Sequence, residues 1–409
     1  MYRIAEKVGS VFQNPRTQFF NVDTDGEIAF GMENKAVAQE QLRPRVERTA
    51  RELRLENLLG RSIFALSGGE KQKIAFASVY AMEPEVLLLD EPSSNLDMTA
   101  INDLREHLRL IKSQGKTVII AEHRLWYLLD VVERVVYLES GAIAGDWTRE
   151  AFCALPPQTR GQMGLRAMDL HEAHPMVFAG ACAKPVLELR NVTLSYQKQP
   201  VLQNVSLQAV PGDVIAVVGH NGAGKTTFSR ALCGLHKQKT GSCLWNGQLQ
   251  TPKERMRRSY LVIQDVNYQL FAESVAAECT FGMKRPDTAL AEKTLAELGL
   301  AAFRECHPNT LSGGQKQRLS AAVSMVSGKE LLVFDEPTSG LDFESMLRLA
   351  ALVRNLAERG KVLFIVTHDY EFFCRTCTRA LHLADGGVQR DLAVTEKNLS
   401  AIREIFYVR

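Results

Sequence analysis

Short apolar runs that end on a polar residue punctuate the chain, and most of them occur twice. VGSVFQNP, stopped by Pro15 after Gln13, is matched by SYLVIQDV around Gln264. VLLLDEPSSNLD runs into Asp90 and Glu91, as LLVFDEPTSGLD runs into Asp335 and Glu336; TVIIAEH ends at His123, as VLFIVTH ends at His368. Runs apolar at every position, rather than at every second one, predict parallel strands buried on both faces. Polar turns and an amphipathic stretch from Ala36 to Leu59 follow the first run, and Leu-Ser-Gly-Gly begins at Leu66 and again at Leu311. The intervals decide that this is a repeat. Ser67 to Asp90 and Ser312 to Asp335 are both 23 residues, and Asp90 to His123 and Asp335 to His368 are both 33. The chain therefore reads as two copies of one α/β domain, each a mostly parallel sheet flanked by helices.

The copies are unequal. Only the second contains VIAVVGHNGAGKTTF, where Ile215 to Val218 break into Gly-x-x-x-x-Gly-Lys-Thr from Gly219 to Thr226. Seventy-eight residues separate Val186 from Gln264, whereas twelve precede Gln13, so the first copy is about 66 residues shorter at its front. A sheet without its glycine-loop strand is expected to expose apolar flanks and unpaired backbone groups. A misplaced start or a fragmentary gene is the reading of that front, with an asymmetric protein that keeps one working site as the rival. The expected domains are 1–145, a linker at 146–184 marked by Pro156-Pro157, and 185–409.

Composition narrows the function class. The chain has 409 residues, 45% of them hydrophobic, enough for about two to four domains with real cores. Forty-nine basic against forty-seven acidic side chains give a net charge of +2, which argues against a broad nucleic-acid surface. No apolar run approaches membrane-spanning length, and the first thirty residues lack a secretion pattern, so the expected compartment is the cytosol. Eight cysteines, including Cys182, show no disulfide rhythm. The lone C-x-x-C, Cys374 and Cys377, falls in a stretch that reads as a helix, with no second pair to complete a metal site.

The glycine loop carries the clearest chemistry. Gly219, Gly222 and Gly224 let the backbone fold around phosphate with its N–H groups inward, and the following helix presents its positive end to the same anion. Lys225 is placed to reach the β- and γ-phosphates, and the Thr226 hydroxyl to ligate Mg2+. Asp335 and Glu336 close a strand on the same side of the sheet, the first suited to hold Mg2+, the second to polarise an attacking water. His368 is placed to contact the γ-phosphate and Gln264 to sense metal and nucleotide, although either alone also reads as an ordinary polar strand end. Ser-Gly-Gly at a helix start, Ser67 to Gly69 and Ser312 to Gly314, offers N–H groups, a dipole and a hydroxyl: a second phosphate site. A domain with its own phosphate loop does not need one in cis, so each start is expected to cap the nucleotide held by the other copy.

Glycine loop, strand-end Gln, LSGGQ, LLxxDEP, S-x-x-L-D and final His, in this order, resemble the ATP-binding cassette (ABC) ATPases over nearly the whole chain except the linker. The resemblance implies P-loop NTPase cassettes with a helical subdomain carrying LSGG, paired head to tail with ATP in their interface. It implies that Tyr196 stacks on adenine, core packing being the alternative, and that Asn221 and Thr227 belong to the nucleotide loop. It implies one complete site, Gly219 to Thr227 with Gln264, Asp335, Glu336 and His368, capped by Ser67, Gly68, Gly69 and Asp97. The other set has Gln13, Asp90, Glu91 and His123 under Ser312, Gly313 and Gly314, without a phosphate loop.

VFQNPRTQFFNVDTDGEIAFGMEN and QDVNYQLFAESV further resemble the segment after the glutamine in energy-coupling factor (ECF) type vitamin importers. That likeness implies a transmembrane scaffold subunit docking beside Gln13 and Gln264, a separate substrate-binding membrane subunit, and a peripheral place on the cytoplasmic face of the membrane. Two alternatives stay open: a soluble tandem ABC ATPase acting on ribosomes, and a non-hydrolysing remnant.

Overall fold

In the computed structural model, which describes residues 2–94, 96–176, 183–196 and 199–406, the chain divides between Asp169 and Leu170 into two units. In the first, Tyr2–Lys7 (α1) leads into Val8–Val11 (β1). This strand pairs in parallel with Val86–Asp90 (β2), which pairs in parallel with Thr117–Ala121 (β3). Thr24–Asn34 (α2), Gln39–Glu52 (α3) and Gly68–Ala81 (α4) form a helical subdomain between β1 and β2. Met98–Ser113 (α5) joins β2 to β3, and its Ile101, Leu104, Leu108 and Ile111 recur at helical spacing and are buried. Arg134–Glu139 (β4) and Ala142–Thr148 (β5) form a separate antiparallel hairpin. Arg149–Cys153 (α6) and Pro157–Gln162 (α7) follow it, with Phe152 buried against Trp147.

The second unit is fuller. Leu187–Tyr196 (β6) and Gln199–Ala209 (β7) belong to an antiparallel sheet with Thr240–Trp245 (β9) and Gln248–Leu249 (β10). Val214–Val218 (β8) opens into the glycine turn and Lys225–Leu232 (α8). Pro252–Arg258 (α9) precedes Ser259–Val262 (β11). The helical subdomain is Val275–Thr280 (α10), Thr288–Glu297 (α11) and Gly313–Val326 (α12). Leu331–Asp335 (β12), Phe343–Glu358 (α13), Val362–Val366 (β13) and Tyr370–Thr376 (α14) come next. Arg379–Ala384 (β14), Gly387–Ala393 (β15) and Leu399–Phe406 (α15) complete it. The main sheet runs β11-β12-β13-β8-β14-β15, parallel except for β15. One core joins the two sheets: Leu189, Val205 and Trp245 from the antiparallel layer meet Phe228 of α8 and Val333 and Phe364 of the parallel one.

β1, β2 and β3 repeat the order and direction of β11, β12 and β13, and the β4–β5 hairpin repeats β14–β15. What differs is the middle. β8 pairs with both β13 and β14, whereas β3 and β4 belong to different sheets among the described residues. The expectation of strands buried on both faces holds for β12 and β13, buried at every position, and fails for β2 and β3. There burial alternates, leaving Leu88 41% and Ile119 54% exposed. In the second unit α8 and the antiparallel sheet cover the corresponding face; among the described residues of the first unit nothing does.

Three further differences from the sequence reading concern boundaries. The expected strand up to Gln13 ends at Val11. Much of the expected linker is structured: β5 runs to Thr148, α6 and α7 count with the first unit, and the Met176 N–H bonds the Cys374 carbonyl within the second. Residues 177–182, with Cys182, lie outside the described residues. Cys374 sits in α14, but Cys377 lies just beyond it, where the chain turns into β14. Burial pushes both thiols up to about 12, which keeps them protonated and inert.

Candidate functional site

β8 is apolar at all five positions and buried from end to end, so the loop that leaves it starts from a fixed point. At Gly219 a Cβ would lie 2.1 Å from the Leu383 carbonyl oxygen. Gly224, at φ +92°, would place one 2.8 Å from Val201 Cγ1 while serving as N-cap of α8. Only glycine fits either place. Lys225 is buried at the start of α8, and its ammonium donates to the carbonyls of Gly219 at 2.6 Å and His220 at 3.1 Å, folding it back over the loop. Asn221, whose carbonyl lies 2.9 Å from His220 Nδ1, stands exposed in the loop, Gly222 turns at φ +89°, and Thr227 is half-buried beside Thr226.

The Thr226 hydroxyl donates to Asp335 Oδ2 at 3.1 Å, joining the loop to the end of β12. Burial pushes the Asp335 carboxyl above the usual range, against the pull of Thr226 and of the Lys225 and Arg230 charges. A buried carboxylate against a hydroxyl and near an ammonium is the donor set that suits Mg2+ with a polyphosphate, so the residues present fit both. Glu336 turns away at φ +49°, a region that costs an ordinary residue about 1–3 kcal/mol and collects at functional sites. Its N–H bonds the Val366 carbonyl at 2.9 Å, and its Oε1 lies 3.4 Å from His368 Nε2. Gln264 follows β11 and is exposed; its carbonyl accepts from Gln317 Nε2 at 3.4 Å. Tyr196 is exposed at the end of β6, and β7, the next strand, supplies the Val201 that packs beside Gly224.

The first unit assembles the same acid and base. Glu91, at φ +42°, bonds the Ala121 carbonyl with its N–H, accepts from Gln13 Nε2 at 2.7 Å, and lies 3.4 Å from His123 Nε2. No loop of the β8–α8 kind accompanies them among the described residues. Both Leu-Ser-Gly-Gly segments start helices with reciprocal caps. The Ser312 hydroxyl accepts from the Gln315 N–H and the Ser67 hydroxyl from that of Glu70, while each side chain three residues on returns a bond to the serine N–H. Gly68 and Gly313 are exposed, with open space where a side chain would stand; Gly69 and Gly314 tuck inward behind them. Asp97 caps α5 through the Ala100 N–H at 2.9 Å.

The sequence reading missed three sets of residues. Glu122, where the second copy has Thr367, accepts from Tyr127 at 2.8 Å and from Ser93, and burial raises its carboxyl. Gln18 and Gln269 accept from the N–H groups just before Gln13 and Gln264, and Glu27 and Glu278 from those of Phe20 and Phe271. The repeated Glu-x-x-Phe-Gly-Met at Glu27 and Glu278 was the available signal.

A family model described as ABC transporter matches residues 2–94 and 202–339. A putative ABC transporter ATP-binding protein of Treponema denticola is 47% identical over 407 residues, covering 97% of this chain and 82% of the relative. One of Methanosarcina mazei is 30% identical over 459 residues, covering 98% and 77%. Among solved structures, an RNase-L Inhibitor superposes with a TM-score of 0.68 at 22% identity, covering 97% of this chain and 77% of that one. The archaeal ribosome recycling factor aABCE1, solved with the stalk protein aP1, gives 0.67 at 22%, covering 97% and 76%. At that identity the likeness is one of fold.

Proposed function

This chain belongs to the ABC transporter ATP-binding proteins and is an ATPase, and from that premise we propose that it energises a membrane importer of the ECF type for a vitamin, metal or other small solute. Hydrolysis takes place at the second unit's site. Lys225 and the backbone N–H groups of Gly222 to Thr227 bind the phosphates, and Tyr196 stacks on the adenine. Thr226, Asp335 and Gln264 would hold Mg2+, which when bound would neutralise the negative charge of the nucleotide's phosphates. Glu336 takes the proton of the attacking water, and His368, whose Nε2 lies 3.4 Å from its Oε1, contacts the γ-phosphate and holds that water in line. Ser67, Gly68 and Gly69 close over this nucleotide when the two cassettes pair head to tail. Glu70 brings a negative charge to that helix start, and Arg61 at 2.9 Å offsets it.

The importer reading is carried by one observation: after the glutamine, each unit presents an exposed aromatic, Phe20 at 73% and Phe271 at 70%, with Phe30 stacked on the first ring and Phe281 exposed near the second in sequence. Exposed rings of this kind mark a docking surface rather than a core. Among the described residues no helix is long and apolar enough to cross a membrane, so the chain would sit on the cytoplasmic face through its scaffold subunit. The expected test is fractionation of native cells that express the chain from its own gene. The native chain sediments with membranes, and Phe20→Ser with Phe271→Ser releases it. Co-sedimentation with ribosomes from membrane-free extract would instead favour the second reading, a soluble tandem ATPase acting on ribosomes, which the tandem fold shared with aABCE1 brings in.

A further inference from the structure

Gln13 and Gln264 each lead through one turn of 3-10 helix, Pro15–Thr17 and Val266–Tyr268, to an aromatic tip at Phe20 and Phe271. A tip this exposed is ordinarily solvated and loosely held. Here two side chains tie it, a half-buried glutamine and a buried glutamate, and both units use the same pair. Gln18 Oε1 accepts the Phe12 N–H at 3.1 Å, and Gln269 Oε1 the Ile263 N–H at 3.1 Å, in each case the residue just before the glutamine. Glu27 Oε2 accepts the N–H groups of Phe20 at 3.0 Å and Asn21 at 2.8 Å. Glu278 Oε2 accepts those of Phe271 and Ala272, both at 2.7 Å. Glu27 is 2% and Glu278 3% exposed, each the fourth residue of its helix, α2 or α10.

Burying a carboxylate is costly, and here each one is spent on the backbone N–H groups of and beside a ring that is 73% or 70% exposed. The arrangement gains something only where the position of the tip itself matters. We propose that Glu27 and Glu278 are positioning residues that fix the aromatic tips to the helical subdomain, and that with Gln18 and Gln269 they make each loop a stiff link between its tip and its nucleotide-site glutamine. A displacement at the tip then moves Gln13 or Gln264, and nucleotide at the site shifts the tip. This rests on the reading of the tip as the scaffold's docking point.

The test is amide hydrogen exchange on the full chain, with and without ATP and Mg2+, for the native protein, Glu278→Gln and Glu278→Leu. The native tip, Phe271 and Ala272, is expected to change its exchange on nucleotide addition. In Glu278→Leu those amides exchange at least about tenfold faster and the nucleotide effect at the tip disappears; Glu278→Gln, which keeps a neutral acceptor, lies between. Unchanged exchange in β12 certifies the fold, and where the leucine variant does not fold, the glutamine variant decides alone. Tip exchange unaltered by either variant overturns the clamp. A faster tip that still responds to nucleotide reduces Glu278 to a local structural role and also overturns it. Because exchange is read without any membrane partner, a working clamp in a chain that fails to sediment with membranes would defeat the docking reading alone.

Discussion

Asp335 carries a conflict between stability and chemistry. Its carboxyl is held above the usual range by burial, so the folded chain binds that proton more tightly than the unfolded one. Such a group contributes stability below its unfolded pKa and loses it as pH rises through the folded value, leaving the ionised form unfavourable at pH 7. Asp335→Asn is therefore expected to raise the melting temperature at pH 7 while abolishing Mg2+-dependent hydrolysis; paired thermal melts and turnover assays check it, and a lower melting temperature would contradict the buried-charge argument. Lys225, Thr226 and Asp335 were legible in the sequence because a phosphate loop constrains residue type and spacing at once. Glu27 and Glu278 were legible only as a repeated Glu-x-x-Phe-Gly-Met, since an acid early in a helix usually faces water and the packing is what shows these two turned inward.

Burial of an element belongs to what covers it as much as to its own sequence. β3 is apolar at four of its five positions and β13 at all five, yet Ile119 is half in solvent while Phe364, its counterpart, is fully buried. Ile119→Ala is expected to change stability by less than about 0.5 kcal/mol and Phe364→Ala to cost about 3–5 kcal/mol, measured by denaturant unfolding of each variant. Hydrophobic runs thus identified both strands, but the exposed face of one reflects that no layer covers it among the described residues. A second contrast lies on α5, where His107 stacks on Phe76 at the place Leu352 takes in α13. Burial depresses its imidazole below the ordinary 6.5, with Asp103 pulling it up and Lys73 further down. The folded chain thus refuses a proton that the unfolded one accepts, and stability falls as pH drops below about 6.5 toward the folded value. His107→Leu is expected to flatten that fall in melts between pH 7 and 5; an unchanged slope would place its origin elsewhere.

At the scale of the whole chain, the repeat supplies two sets of candidate hydrolytic acids, and its sequence carries one Gly-x-x-x-x-Gly-Lys-Thr loop. The second unit holds Lys225, Thr226, Asp335, Glu336 and His368 around one end of its sheet, and the first offers a capped Ser-Gly-Gly helix start with open space at Gly68. Each half is understandable alone, and the proposed head-to-tail site needs both. The most direct test is Mg2+-dependent ATP turnover by the purified chain beside Lys225→Ala and Ser67→Arg, with thermal melts confirming that all three fold. Turnover by the native chain that both substitutions abolish, one in each unit, is the expected result. Turnover that survives Ser67→Arg would contradict the head-to-tail site, and turnover that survives Lys225→Ala would contradict the second unit's loop as the place where ATP is held.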